Sequence, residues 1–187
     1  MHRAYGEKKK ALFRRLPARI VEIGPGIGAN LRYFPLGTSI IAVEPNRAMH
    51  PFLLARAAQK GIHVEIKPMR GEQLDLPTSS VDAVVGTFVL CTVDNPFKVL
   101  SNVHRILRPM GCYVFLEHVA APDGSCLHHL QDLLNSPWQR LFQGCNLNRD
   151  TAALLQKAGF SSLQMDCFRL KPALFPIAPH IFGLASK

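Results

Sequence analysis

The sequence predicts an α/β fold in which a mostly parallel, seven-stranded sheet carries helices on both faces. Three observations predict this class. Short β-branched runs alternate with segments of helical period along most of the chain, which is typical of a parallel sheet. A glycine-rich loop follows the first run directly, as at the ligand-binding turn of a doubly wound sheet. The last two runs have no helix between them, so we expect an antiparallel hairpin at the C-terminal edge.

The N-terminal half of the chain predicts a basic helix followed by four strands. The helix, Tyr5–Arg15, ends before Pro17 and belongs to an N-terminal region at 1–18, and the single main domain spans 19–187. Buried strands are recognised here as β-branched runs of about five residues bounded by turn residues. The elements expected next are a strand at Arg19–Ile23, a brief helix at Asn30–Phe34, a strand at Ser39–Val43, a helix at Ala48–Lys60 stopped by Gly61, and strands at His63–Ile66 and Val81–Gly86.

The C-terminal half continues the alternation and adds an insertion. Apolar residues recur at helical period over Pro96–Leu107, and a Pro-Met-Gly turn separates this helix from a fifth strand at Cys112–Leu116. The pattern at Leu127–Phe142 is also helical, but Pro137 lies inside it, so we expect two short helices there. They fall in an insertion at 120–149 that is a candidate substrate lid. The last expected elements are a helix at Asp150–Ala158 and strands at Ser162–Leu170 and His180–Ala185, the two strands joined by a proline-rich connection.

The composition excludes several classes of protein. The chain has 187 residues, of which 48% are hydrophobic and 19% charged, and this balance excludes a disordered or coiled-coil protein. No apolar run approaches the roughly 20 residues of a membrane-spanning helix, and the N-terminus has no signal-peptide pattern. The five cysteines include no CxxC pair, which argues against a disulfide framework and a structural zinc site. We therefore expect a reducing compartment and no metal.

The charge balance is basic. Lysine and arginine number 22 against 13 acidic residues, for a net charge of +9, and such a field favours anionic partners. Because no basic stretch interleaves with aromatic residues, we expect no nucleic acid partner. Peripheral contact with an acidic membrane face stays open.

The glycine loop and an acidic residue beyond it predict an adenosine cofactor. Gly24, Gly26 and Ala29 fit the G-x-G-x-x-A spacing directly after a strand, where glycines let the backbone approach a ligand closely. Glu44 lies 20 residues beyond Gly24 at the end of the second strand, where a carboxylate accepts hydrogen bonds from the ribose hydroxyls. This pair leaves a nicotinamide cofactor and S-adenosylmethionine both open.

Three further strings extend the pattern. They are 71–77 (GEQLDLP), 80–85 (SVDAVV) and 104–111 (HRILRPMG), and in this order they resemble the class I S-adenosylmethionine-dependent methyltransferases with their Rossmann-like fold. The resemblance runs from Arg19 to the closing hairpin. It implies cofactor-binding roles for Glu22, Gly24, Gly26, Gly28 and Asn30 around the carboxypropyl group and sulfonium, Gly71 and Glu72 at the adenine, and Thr87 beside the methionine moiety. Arg70 departs from the family, which often places an acid there.

A narrower resemblance lies in the strings 89–93 (VLCTV), 117–121 (EHVAA), 144–149 (GCNLNR) and 179–183 (PHIFG). They are similar to the microsomal methyltransferase-like proteins, which are alkyl thiol S-methyltransferases anchored to the endoplasmic reticulum and lipid droplets by an N-terminal hydrophobic segment. This chain starts without that segment. The resemblance therefore implies an endoplasmic reticulum or lipid-droplet location, or a cytosolic one if the chain is complete as given.

The candidate reaction residues follow the fourth and fifth strands. His118, at the carboxyl end of the fifth strand, is the first choice for a proton acceptor, with a core histidine as the alternative. Cys91, Trp138 and Cys145 are candidates for the substrate pocket, and ordinary packing is their alternative.

The leading hypothesis is a thiol S-methyltransferase that acts on a small-molecule thiol, as a monomer by default. The alternatives are an O- or C-methyltransferase for a quinone or lipid-like molecule, an NAD(P)-dependent oxidoreductase, and a catalytically silent lipid-droplet scaffold.

Overall fold

In the computed structural model, which describes residues 2–171 and 176–187, seven strands form one sheet. The strands are β1 (Arg19–Ile23), β2 (Ser39–Val43), β3 (His63–Lys67), β4 (Val81–Thr87), β5 (Leu107–His118), β6 (Ser162–Arg169) and β7 (Pro179–Ser186). Their order in the sheet is β3-β2-β1-β4-β5-β7-β6. The first five are parallel to one another, and β7 runs antiparallel to both β5 and β6. The predicted Rossmann-like α/β class and its C-terminal hairpin are confirmed.

Helices connect the strands and cover the sheet. They are α1 (His2–Phe13), α2 (His50–Lys60), α3 (Pro96–Ile106), α4 (Cys126–Leu141) and α5 (Thr151–Lys157), with short 3-10 turns at Leu31–Tyr33, Arg47–Met49 and Gly71–Gln73. None of the described helices combines the length and the apolar character needed to cross a membrane. The predicted proline-rich connection between β6 and β7 falls partly at residues 172–175, outside the described part of the chain.

Alternating side chains of the parallel strands belong to two hydrophobic clusters, one on each face of the sheet. Val84 belongs to the cluster under α3 and α5, whereas its neighbour Val85 belongs to the cluster under α1 and α2. Successive side chains of a strand point to opposite faces, so both faces of β4 are buried. A sheet covered on both faces leaves its ends as the place for a ligand.

The position of the site follows from the strand order. The order reverses between β1, which leads to β2, and β4, which leads to β5. In open α/β sheets, ligands bind at such a switch point, outside the carboxyl ends of the strands. The residues after Ile23 and Gly86, which are register partners in β1 and β4, therefore face the expected site.

Most other elements differ from their predicted bounds by one to three residues at an end, and two differ by more. The two short helices expected in 127–142 are one helix, α4. Pro137 has no N–H to donate to the carbonyl of Leu133, but both residues lie on the exposed side of the helix, where water can bond to that carbonyl. The fifth strand is longer than predicted and begins directly at Leu107. The Pro-Met-Gly turn becomes a bulge inside β5, where Met110 has a φ of 66° and the pairing with β4 shifts register.

Candidate functional site

The glycine loop after β1 lies against the loop after β4. Gly24 has a φ of +64°, and a Cβ there would lie 2.7 Å from Val89 Cγ2. Gly26 has a φ of +56°, but no atom lies within 4 Å of the position its Cβ would take. Gly28 faces Leu31 and the protein core instead. Both the left-handed φ and the contact with Val89 therefore restrict position 24 to glycine, whereas at Gly26 only the φ does so.

A cavity of about 490 Å³ opens at the carboxyl ends of β1, β2 and β4, within the usual size range of small-molecule sites. Four predicted cofactor residues line it, namely Gly24, Glu44, Gly71 and Glu72. Phe88 and Val89 supply an apolar wall. The other predicted cofactor residues do not line it, namely Glu22, Gly26, Gly28, Asn30 and Thr87. The binding roles of all nine residues stay predictions.

Glu44 is held at the end of β2 by backbone groups. Its Oε2 accepts from Gly26 N at 2.9 Å and its Oε1 from Asn46 N at 2.8 Å. A carboxylate offers about four acceptor positions, so each oxygen keeps one for a further donor. This arrangement fits the two hydroxyls of a ribose.

A buried polar network lies behind the glycine loop. Asn30 Nδ2 donates to Glu22 Oε1 at 2.7 Å and to Thr87 Oγ1 at 2.9 Å. Lys9 Nζ of α1 donates to Asn30 Oδ1 at 2.6 Å, and the lysine is only 7% exposed. The structure thus brings together three predicted cofactor residues and one cation that the sequence does not single out.

The burial of Lys9 follows from its place on α1. Tyr5, Lys9 and Phe13 are four residues apart, so they share one face of α1, and all three are buried. By itself, the run Lys8–Lys10 is typical of a solvated basic stretch. Lys9, however, lies four residues from each of the aromatic residues Tyr5 and Phe13, which places it on the buried face of the helix. That periodicity is the signal that could have found Lys9.

Burial changes the protonation of the network. Desolvation raises the pKa of Glu22 to about 7, although Asn30 and Lys9 favour its charged form. Desolvation likewise lowers the pKa of Lys9 to about 8, against the attraction of Glu22 and Glu117. Among the described residues, Glu22 Oε2 has no hydrogen-bond partner, although it is buried. Neither Glu22 nor Lys9 lines the cavity, so a ligand there would reach this free acceptor only after a local rearrangement.

The turn at Gly71–Gln73 is fastened by α3. Asn102 Nδ2 donates to Gly71 O at 3.0 Å and to Glu72 O at 2.9 Å. At the cavity mouth, Arg70 pairs with Asp94. Both side chains are exposed, so this pair contributes little stability.

The predicted reaction residues form a second cluster beside the cavity. His118 Nε2 lies 3.1 Å from Cys145 Sγ, and Cys91 completes a group whose ligand atoms are all within 4.8 Å of one another. Cys91 and His118 are buried, and none of the three lines the cavity. Instead Thr92, the neighbour of Cys91, lines it.

The two cysteines of this cluster titrate in opposite directions. A hydrogen bond from Cys91, with further stabilisation by His118, lowers the pKa of Cys145 to about 4 despite partial burial. The same bond, together with burial, raises the pKa of Cys91 well above its ordinary value. Trp138, which stacks on Phe142 at 4.0 Å, also lowers the pKa of Cys145, but its indole N–H makes no hydrogen bond within the described residues.

Glu117 is a buried acid that the sequence does not single out beyond its place in a resemblance string. Its Oε1 accepts from Val89 N at 2.9 Å and Leu90 N at 3.1 Å, which fixes the loop after β4. Burial raises the pKa of Glu117 to about 7. The acid therefore shapes the apolar wall of the cavity from behind.

Comparison with known proteins gives consistent results. A family model described as a methyltransferase domain matches residues 1–165. The chain is 34% identical to thiol S-methyltransferase TMT1A of Homo sapiens, over 96% of this chain and 78% of that protein. It is 36% identical to thiol S-methyltransferase TMT1B of Homo sapiens, over 100% of this chain and 81% of that protein.

Solved structures share the fold. A SAM-dependent methyltransferase from Methanosarcina mazei superposes with a TM-score of 0.70 at 15% identity, covering 95% of this chain and 96% of that one. A geranyl diphosphate methyltransferase in complex with SAM gives a TM-score of 0.73 at 14% identity, covering 98% of this chain and 84% of that one. At these identities the likeness concerns the fold alone.

Proposed function

The chain belongs to the methyltransferase domain family, and from this premise we propose that it transfers the methyl group of S-adenosylmethionine to the sulfur of small, lipophilic thiols. The observation that carries the thiol assignment is the likeness to two thiol S-methyltransferases over nearly the whole chain. The geometry of the cavity supports the cofactor assignment independently.

The cofactor contacts follow the chemistry of the cavity. S-adenosylmethionine supplies a methyl group on a sulfonium that is already a good leaving group. Glu44 would accept from the ribose hydroxyls, and Glu22 Oε2 from the ammonium group of the methionine moiety. Lys9 is the cation available for the carboxylate of that moiety. Gly71 and Glu72 border the adenine position.

The chain contributes mainly alignment and exclusion of water. Methyl transfer is an in-line displacement, and orienting two reactants contributes on the order of 7–11 kcal/mol to such a step. A thiol of pKa near 8.5 is a few per cent thiolate at neutral pH, so a strong base is not required. The apolar wall at Phe88 and Val89 favours a lipophilic acceptor. The proton-acceptor role of His118 stays a prediction, because its Nε2 faces Cys145.

Incubation with labelled cofactor and a panel of acceptors tests this function. The panel contains alkyl thiols, phenols, quinones and arsenicals, and we expect methylation of the alkyl thiols. Methylation confined to oxygen or carbon acceptors would contradict the thiol assignment and leave the cofactor assignment standing. Cofactor binding with no transfer to any acceptor would favour a silent scaffold.

We also propose peripheral contact with an acidic membrane or lipid-droplet surface. The net charge of +9 supports it, and so do the exposed apolar side chains of Leu133 and Leu141 in α4 and of Phe142 directly after it. Sedimentation with anionic and neutral vesicles tests this location. We expect binding to the anionic vesicles that weakens with salt, and equal recovery in the supernatant with both vesicles would contradict it.

A further inference from the structure

We propose that Cys91, His118 and Cys145 form a binding site for Zn²⁺. The three residues come from different segments, namely the loop after β4, the end of β5 and the loop after α4. Cys91 and Cys145 each lie 27 residues from His118. The expectation of no metal was based on the absence of CxxC pairs. That absence excludes only sites built from a short local motif, and this site is not one of them.

The distances between the three side chains are close to those of a tetrahedral zinc site. The ligand atoms all lie within 4.8 Å of one another, and His118 Nε2 is 3.1 Å from Cys145 Sγ. With Zn–S near 2.3 Å and Zn–N near 2.0–2.1 Å, tetrahedral geometry places neighbouring ligand atoms about 3.5–3.8 Å apart. Side-chain shifts of about 1 Å or less would therefore complete the coordination.

The chemistry of the donors selects the metal. Two cysteine sulfurs and one imidazole nitrogen are soft or borderline ligands, which favour Zn²⁺ over Mg²⁺ or Ca²⁺. In the described part of the chain, no fourth histidine, cysteine or acidic side chain joins the cluster. Three protein ligands with one open position are the pattern of reactive rather than purely structural zinc sites.

The backbone already holds the two cysteine loops together. Asn146 donates to Cys91 O through both its backbone N at 2.7 Å and its Nδ2 at 3.0 Å. Arg149 donates to Leu90 O and to Val93 O on either side of Cys91. Because these bonds fix Cys91 against the loop of Cys145 without any metal, the site is preformed and binding needs little ordering.

Second-neighbour groups also suit a metal-bound sulfur. Thr92 Oγ1 lies 3.5 Å from Cys91 Sγ, and the Trp138 indole lies near Cys145. Polar groups of this kind around the ligands tune metal sites. The zinc proposal does not rest on the proposed thiol methylation, but it changes the role predicted for His118 in that reaction. If zinc is bound, His118 is a ligand and not the proton acceptor of the reaction.

The experiment uses the full chain, purified under reducing conditions and equilibrated with ZnCl₂, with bound zinc measured by mass spectrometry of the elements. We expect about one equivalent per chain. With CoCl₂, the protein should show a thiolate-to-cobalt charge-transfer band and the visible bands of tetrahedral Co²⁺. This spectrum identifies sulfur ligands without reference to activity.

Variants locate the metal. Cys145→Ser should weaken zinc affinity by at least the 10–100-fold that loss of an outer-shell partner costs, and should remove the charge-transfer band. Cys145 is only partly buried, so this variant is expected to fold, and circular dichroism checks it. Cys167→Ser, at an exposed free cysteine of β6, is the matched control and should keep both signals. Cys91→Ser provides a second variant of the cluster.

Three results would overturn the proposal. Zinc content that is the same in Cys145→Ser and Cys167→Ser would place the metal elsewhere. A Co²⁺ spectrum without a charge-transfer band would mean histidine or carboxylate ligands at the surface. Freshly isolated protein that holds a Cys91–Cys145 disulfide and takes up no zinc after reduction would make the pair a redox couple instead.

Discussion

At the residue scale, the site depends on how single buried polar groups are satisfied. Glu22 is 1% exposed, and Asn30 satisfies only one of its two carboxylate oxygens. Leaving a buried acceptor free costs stability, so such groups are rare unless a ligand or water completes them. Glu22 does not line the cavity, so substitution is needed to show whether a ligand or a water satisfies its free oxygen.

Glu22→Gln should weaken binding of S-adenosylhomocysteine by about 10–100-fold in calorimetry. A hydrogen bond to a charged group contributes about 1.5–3 kcal/mol, and the glutamine NH₂ would face the ligand ammonium if its oxygen keeps the bond with Asn30. Glu65→Gln, on the exposed part of β3, is the control and should bind as the parent does. Equal affinity of the two variants would remove Glu22 from the binding site.

The same substitution should change how stability depends on pH. Because the pKa of Glu22 is raised from 4.5 to about 7 in the folded state, the folded protein binds more protons between these values. Its stabilising contribution is therefore present below pH 4.5 and is lost as the pH rises through 7. Relative to Glu22→Gln, the parent should lose on the order of 1–3 kcal/mol of unfolding free energy across this window, measured by urea titration. A difference that does not vary with pH would contradict the assignment.

At the scale of elements, α1 closes the site from one side. Phe13 stacks on Phe34 with ring centroids 4.9 Å apart, and the Tyr5 hydroxyl lies 2.9 Å from His180 Nε2. These contacts fix both ends of the buried face of the helix, with Lys9 between them. A helix held in this way can present a cation to the network without being part of the sheet.

Lys9→Met should weaken S-adenosylhomocysteine binding by about tenfold, which corresponds to roughly 1.4 kcal/mol. The methionine keeps the apolar stem but loses the donor to Asn30. Lys10→Met is a closely matched control, because Lys10 is exposed and pairs with exposed Glu7 away from the network. We expect Lys10→Met to bind as the parent does. If both variants bind equally well, α1 serves packing alone.

A further test at this scale concerns the anchoring of the Gly71–Gln73 turn by α3. Asn102→Ala removes two hydrogen bonds to buried or partly buried carbonyls, which should cost about 1–3 kcal/mol of unfolding free energy in urea titration. Ser101→Ala, at an exposed position of the same helix, should change stability by less than about 0.5 kcal/mol. Equal stability of the two variants would mean that the turn is held by other contacts.

The elements also show what a sequence can predict. The bounds predicted for β1 and β2 are confirmed, because β-branched runs end at glycine or proline and no competing signal intervenes. The prediction was wrong at Pro137 and at the Pro-Met-Gly turn, where helix continuation and strand pairing override local breakers. Lys9 and the cysteine cluster depend on contacts between distant segments. The local period of α1 could have identified Lys9 as buried, but neither its contact with Asn30 nor the cysteine cluster can be predicted from a local pattern.

At the scale of the whole molecule, the strand order decides where all these groups meet. The switch point between β1 and β4 brings the glycine loop, Glu44 and the turn at Gly71–Gln73 around one cavity. Because both faces of the sheet are occupied by core, the carboxyl ends of the strands remain as the place where polar groups can converge. The fold alone permits either a nicotinamide or an adenosyl sulfonium cofactor there, and membership of the methyltransferase domain family selects the sulfonium. A binding measurement that separates the two cofactors tests whether the cavity itself makes this selection.

Thermal unfolding with and without ligand makes this separation on the intact chain. A ligand that binds only the folded state at 100 times its Kd adds about 2.7 kcal/mol, and 1 kcal/mol shifts the Tm of a domain of this size by about 2–4 °C. Saturating S-adenosylhomocysteine should therefore raise the Tm by about 5–10 °C, whereas NADH should leave it unchanged. Glu22→Gln should show a reduced shift at the same ligand concentration, which connects the effect to the cavity rather than to the basic surface. A shift with NADH that matches or exceeds the one with S-adenosylhomocysteine would mean that the cavity does not select the sulfonium cofactor by its own contacts.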